Sequence, residues 1–135
     1  MIKFISTFLF LVGVSVSLQA TEAEASGFPE CTDDKVLQRI SSRFNAAEDR
    51  TWHRGLHVES ISRAHWHGQS GFEESSIYRR YCHAYANLSN GVTRKVHYLI
   101  EDGQGFAGYG WNVEYCVTGL DPWKVYDGYC RTVRP

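Results

Sequence analysis

The chain has 135 residues, 43% of them hydrophobic, and a formal net charge of −1 from 14 basic and 15 acidic side chains. That balance argues against a general phosphate-backbone binder, which needs a basic excess gathered on one surface, so nucleic acid is not an expected partner. The length supports one domain with one modest core. The four cysteines, none in a C-x-x-C spacing, point to an oxidising compartment and two disulfides rather than a redox centre or a zinc ribbon.

Residues 1–20 read as a secretory signal. Lys3 supplies the positive start, Phe4 to Val16 is largely apolar, and Leu18-Gln19-Ala20 ends on a small residue suited to cleavage. The apolar run is too short for a membrane span, so no transmembrane segment is expected after signal removal. Residues 21–30 are a polar lead-in, and 31–135 form the expected single α+β domain. Thr32 is placed to cap a helix whose first turn holds Asp33 and Asp34, where negative charge suits the helix dipole. Val36, Leu37, Ile40, Phe44 and Ala47 share one helical stripe, and the helix should fade near Asp49 to Trp52. Its role is to pack on a sheet.

Leu56 to His67 reads as a strand, with a bulge near Ser60 needed to reconcile Leu56 and Val58 with Ile61 and Ala64. It carries His65-Trp66-His67, an H-x-H pair that turns both rings to one side of a strand, as a metal site requires. The plain alternative is an exposed strand end.

Ile77 to Thr118 carries two hairpins, and the rest of the chain covers or staples them. Leu88-Ser89-Asn90-Gly91-Val92 fits a turn with Gly91 left-handed, which sets Leu88 opposite Val92. Cys82 then faces Tyr98, His83 faces His97 and Ala84 faces Val96. Cys82, Ala84, Ala86, Leu88, Val92, Val96, Tyr98 and Ile100 share an apolar face, whereas a one-residue slip would mix polar side chains into it. In the second hairpin Trp111, Val113, Tyr115 and Val117 alternate with Asn112, Glu114, Cys116 and Thr118. Matching the apolar faces is expected to place Glu114 opposite His97. With the helix, this gives a four-stranded antiparallel meander.

Cys82 and Cys116 then lie on opposite faces of non-adjacent strands, too far apart to bridge. The favoured pairing is Cys31–Cys82 with Cys116–Cys130, whose loops contribute about 4 and 3 kcal/mol in the chain-entropy treatment. Cys31–Cys130 with Cys82–Cys116 is the rival.

His83, His97 and Glu114 are the first chemical candidates. Two imidazoles and a carboxylate on neighbouring strands suit zinc, or a histidine–carboxylate acid–base pair. A solvated polar face is the alternative. His65 and His67 are the second candidates, and no motif requires an organic cofactor. Gly103-x-Gly105-x-x-Gly108 matches a dinucleotide fingerprint in letters only, because a strand and not a helix follows it. Those glycines suit a hairpin tip that carries Phe106 and Tyr109 as candidate partner-binding residues. Arg79-Arg80 and Arg94-Lys95 are expected near one another as a small anion patch.

Tyr81-Cys82-His83-Ala84, Gly105 through Trp111, Val113-Glu114-Tyr115-Cys116-Val117, Gly119-Leu120-Asp121 and Cys130-Arg131 together resemble a group of small exported proteins from alphaproteobacteria with no established activity. The resemblance spans the C-terminal half and implies a periplasmic location. Similar chains carry arginine at the position of His83, so it assigns that residue no shared role. The expected function is a non-enzymatic periplasmic binding or envelope-accessory domain, its partner a protein or another envelope component. The alternative is a metal-dependent or histidine-based hydrolase built on His83, His97 and Glu114.

Overall fold

Residues 27–71 and 77–135 are described in the computed structural model. The expected signal at 1–20, most of the lead-in and the connection at 72–76 lie outside the described residues.

The helix α1 runs Asp34–Ala47 and its N-cap is Asp33, one residue later than Thr32. The Asp33 carboxylate accepts from the Glu30 N–H at 3.1 Å instead of from the helix, and the Asp33 N–H returns to the Glu30 carbonyl. The reversal beside Cys31 thus takes the side chain that would have capped the helix. Val36, Ile40 and Phe44 are buried. Each stabilises by roughly 1.5–3 kcal/mol, which an isolated helix of this length would not gain from propensity alone. The helix widens into a π-helical turn at Glu48–Trp52 and stops where His53 turns left-handed at φ 52°. That turn buries Glu48, 2% exposed, against Arg54, whose Nε donates to Glu48 Oε1 at 3.0 Å.

The sheet is β1 (Val58–Ser70), β2 (Arg79–Leu88), β3 (Thr93–Asp102) and β4 (Trp111–Val117), antiparallel throughout and in chain order. The first hairpin has the alternation-derived register: Cys82 pairs with Tyr98, His83 with His97 and Ala84 with Val96. Gly91 sits at φ 80°, and the Leu88 N–H reaches the Val92 carbonyl at 3.0 Å. Val92 itself is exposed at the hairpin end rather than part of the core. Strand β1 has the bulge near Ser60 and two further register shifts, between Ser62 and His65 and between Trp66 and Gly68.

One sheet face, with Cys82, Ala84, Ala86, Leu88, Val96, Tyr98, Ile100, Val113 and Val117, packs under α1. The small residues of β2 let the helix approach, and the Tyr98 hydroxyl donates to the Cys31 carbonyl at 2.6 Å inside this core. Cys31–Cys82 ties the helix start to the sheet and Cys116–Cys130 ties the tail to β4. At the free edge of β4, Arg39 and Arg43, one helical turn apart, donate to the carbonyls of Trp111 (3.3 Å) and Val113 (2.7 Å). They occupy edge acceptors that would otherwise recruit another strand.

The opposite face is not merely polar. Residues 118–135 fold back across it. The Asp121 carboxylate accepts from the N–H groups of Val125 and Tyr126, both at 3.0 Å. A 3₁₀ segment at Gly128–Val133 then presses Cys130 and Val133 onto Leu99 and Cys116, with Tyr81 and Tyr126 alongside. The last residue reaches β1: a Cβ on Gly68 would lie 3.4 Å from Pro135.

The expected anion patch does not form. Arg79 pairs with Glu101 at 2.8 Å and Arg80 with Glu30 at 3.0 Å. Arg94 and Lys95 lie across from Ala86 and Tyr85, at the other end of the hairpin. Tight antiparallel pairing sets residues near the start of β2 against the end of β3, not its beginning.

Candidate functional site

Three histidines line up across three strands. His65 pairs with His83 in β2, His83 with His97 in β3, and His97 with Cys116 in β4. The register shifts on either side of His65-Trp66 leave His67 unpaired in the ladder. Its ring centroid lies 5.5 Å from that of His83, and the His65 ring is 5.6 Å from His83 on the same face. The histidines of the two candidate sets therefore share one row, which the bulges bring about.

Glu114 is not part of it. It pairs with Leu99, two residues along from the expected position opposite His97. Its carboxylate accepts from the Tyr126 hydroxyl at 2.5 Å and from the Asn112 amide at 2.9 Å. A two-residue slip keeps every side chain on its own face, so alternation cannot detect it. The expected His83–His97–Glu114 arrangement is not assembled, and the acid–base pair it would have supplied is absent from this register.

The cluster is graded from wet to dry. His65 and His67 are exposed, His83 is half-buried, and His97 is 7% exposed beneath the tail. The Nδ1 atoms of His83 and His97 are buried and have no hydrogen-bond partner among the described residues. Burial holds the His83 imidazole below its ordinary pKa, assisted by Lys95, His67 and His65. Burial also pushes His97 down to about 4, assisted by Lys95, Arg134, His83 and His67. Both inner rings are therefore neutral nitrogen ligands or polar packing groups at neutral pH. Among the described residues, no three ligand groups already converge as a bound ion would require.

The second region is the tip of the β3–β4 hairpin. Gly105 is forced there, since a Cβ would meet the Tyr109 carbonyl at 1.9 Å. A single 3₁₀ turn, Phe106–Gly108, follows, with Ala107 left-handed at φ 55°. This compact turn leaves no room to fold its aromatic side chains inward: Phe106 is 97% exposed and Tyr109 82%. Beside them, the Arg39 guanidinium stacks 4.0 Å above the Trp111 ring, and Arg43 Nη2 donates to Asn112 Oδ1 at 3.1 Å. An open groove of about 570 Å³ runs between the tip and these arginines. Neither Arg39 nor Arg43 forms an ion pair among the described residues.

A smaller cavity of about 180 Å³ lies at the β4 edge, lined by Phe44, Trp52, Tyr115, Leu120 and Tyr126. Burial raises the Tyr115 hydroxyl to about 12 and, with the Glu114 hydrogen bond, raises Tyr126 further still. Both stay protonated donors at any ordinary pH. Arg39 and Arg43 were not singled out from the sequence, although their four-residue spacing on the helix is a readable signal once β4 is known to lie beside them.

The chain matches no protein-family model, no curated protein and no solved structure. No helix among the described residues is long and apolar enough to cross a membrane.

Proposed function

We propose that the protein is an exported, disulfide-stapled binding module that engages an acidic protein surface through the β3–β4 tip. The single observation that carries this reading is the nearly complete exposure of Phe106 and Tyr109 beside two arginines that have no carboxylate partner among the described residues. Two large side chains held in water on a tight turn that Gly105 permits are anchors without a socket. Burying each on a partner stabilises by roughly 1.5–3 kcal/mol, and aromatic and arginine side chains are the usual dominant contributors to protein interfaces. Arg39 and Arg43 supply the charge that would select carboxylates and speed encounter. The two disulfides and the expected signal support export to an oxidising compartment.

The test is a photo-crosslinking amino acid placed at Phe106, at Tyr109 and, as a control at the opposite hairpin end, at Asn90, in cells that export the protein. A discrete protein adduct from positions 106 and 109, diminished by Arg39→Ala with Arg43→Ala, is the expected result. Equal adducts from Asn90 would refute the tip as the binding surface. Adducts to polysaccharide instead of protein would refute the class of partner.

A further inference from the structure

We propose a transition-metal site on the tail-side face of the sheet, in which His65, His67 and His83 together take one Zn²⁺, Cu²⁺ or Ni²⁺ ion. It is separate from the hairpin tip and does not depend on the binding reading above.

The distances favour it. An ion held at about 2.0–2.1 Å from an imidazole nitrogen lies roughly 3.2 Å from the ring centre, so two imidazoles at a tetrahedral angle have centres roughly 5.2 Å apart. The His65 and His67 rings stand 5.6 and 5.5 Å from the His83 ring. No three ligand groups among the described residues yet converge, so both outer rings must swing inward to meet an ion beside His83. Both outer rings are exposed, and exposed side chains reorient on a picosecond to nanosecond scale. The fixed member is His83, set in the ladder between β1 and β3.

The backbone is built to make the cluster. Register shifts fall just before His65 and just after Trp66. They bend the edge strand so that His67 leaves the ladder while its ring stays beside His83. Bulges re-aim side chains at the cost of ladder hydrogen bonds and are common both on edge strands such as β1 and beside functional sites.

The donor set chooses the class of ion. Three imidazoles suit zinc, copper and nickel, whereas magnesium and calcium demand oxygen ligands. Glu114, the carboxylate expected here, is committed to Tyr126 and Asn112. Lys95 is the opposing charge closest in effect to His83. Solvent screens its repulsion of a divalent ion, which weakens binding without abolishing it. Three protein ligands leave a fourth position open to water or to a ligand atom from elsewhere.

The experiment is calorimetric titration of the untagged, oxidised protein near neutral pH with zinc, copper and nickel chlorides separately, and with magnesium chloride. One ion per chain should bind for at least one of the three transition metals, with no response to magnesium. His65→Ala and His67→Ala, both at exposed positions, each remove a direct ligand and should weaken binding by at least the roughly tenfold to hundredfold that loss of an outer-shell partner costs. His53→Ala and His57→Ala should change nothing. Absence of binding up to about 1 mM metal, corresponding to roughly −4 kcal/mol, overturns the site. So does a loss that follows His53 or His57 instead of His65 and His67, or an affinity indifferent to both.

Discussion

Acid should weaken this fold through His97. Folding buries the imidazole under the tail among Lys95, Arg134, His83 and His67, and lowers its pKa from 6.5 to about 4. The unfolded chain therefore binds the His97 proton more tightly than the folded one. Stability from this group is fully present above pH 6.5 and is lost as pH falls toward 4. The whole shift is worth about 3 kcal/mol, with about 2 kcal/mol already gone near pH 5. That is a large share of a small domain's stability. Urea unfolding of the oxidised protein, followed by tryptophan fluorescence between pH 7.5 and 4 with EDTA present, measures it. Carboxylates also titrate in this range, so the informative quantity is the difference from His97→Gln, which keeps a polar side chain but cannot take the proton. The variant should start less stable at neutral pH and lose about 2 kcal/mol less than the parent on going to pH 5. Parallel profiles for the two proteins would refute the assignment of a buried, proton-averse ring to position 97.

Two further outcomes follow from the same packing. Arg54→Ala strands the Glu48 carboxylate, which is 2% exposed, and should cost about 3 kcal/mol. Adding Glu48→Gln should recover most of that loss in the urea midpoint, and a double variant no better than Arg54→Ala would contradict the pairing. Replacing Cys116 and Cys130 together by serine opens the 14-residue loop and should cost about 3 kcal/mol. It should also flatten the acid profile, because a tail no longer bolted to β4 lets water reach His97. An unchanged acid profile would mean that the tail is not what dries that ring.

Most of the sheet was legible because its side chains repeat every two residues. The row Cys82, Ala84, Ala86 and Leu88 has one inward phase, and Gly91 supplies the left-handed residue that the hairpin needs, so pairing to Val96 and Tyr98 was determined. Cysteine pairing followed from faces: Cys82 points to the helix side and Cys116 to the tail side, so each bonds a partner on its own side. Glu114 shows where that logic ends. Parity was right and position was wrong by two residues, because the long Gly103–Gly110 connection does not fix the closing pair, Asp102 with Trp111.

The helix, the four-stranded order, the faces of β2, β3 and β4 and the favoured of two disulfide pairings were thus readable from residue pattern alone. All of these are set by local periodicity or by covalent reach. Long-range packing set the remaining features. Two register shifts joined His65 and His67 to His83, and the folded-back tail turned His97 from a surface residue into a buried one. The helix arginines lie beside Trp111 and the tip because the β4 edge runs along α1. Each of these depends on elements distant in sequence meeting in space, and no period of two or of 3.6 residues records such a meeting.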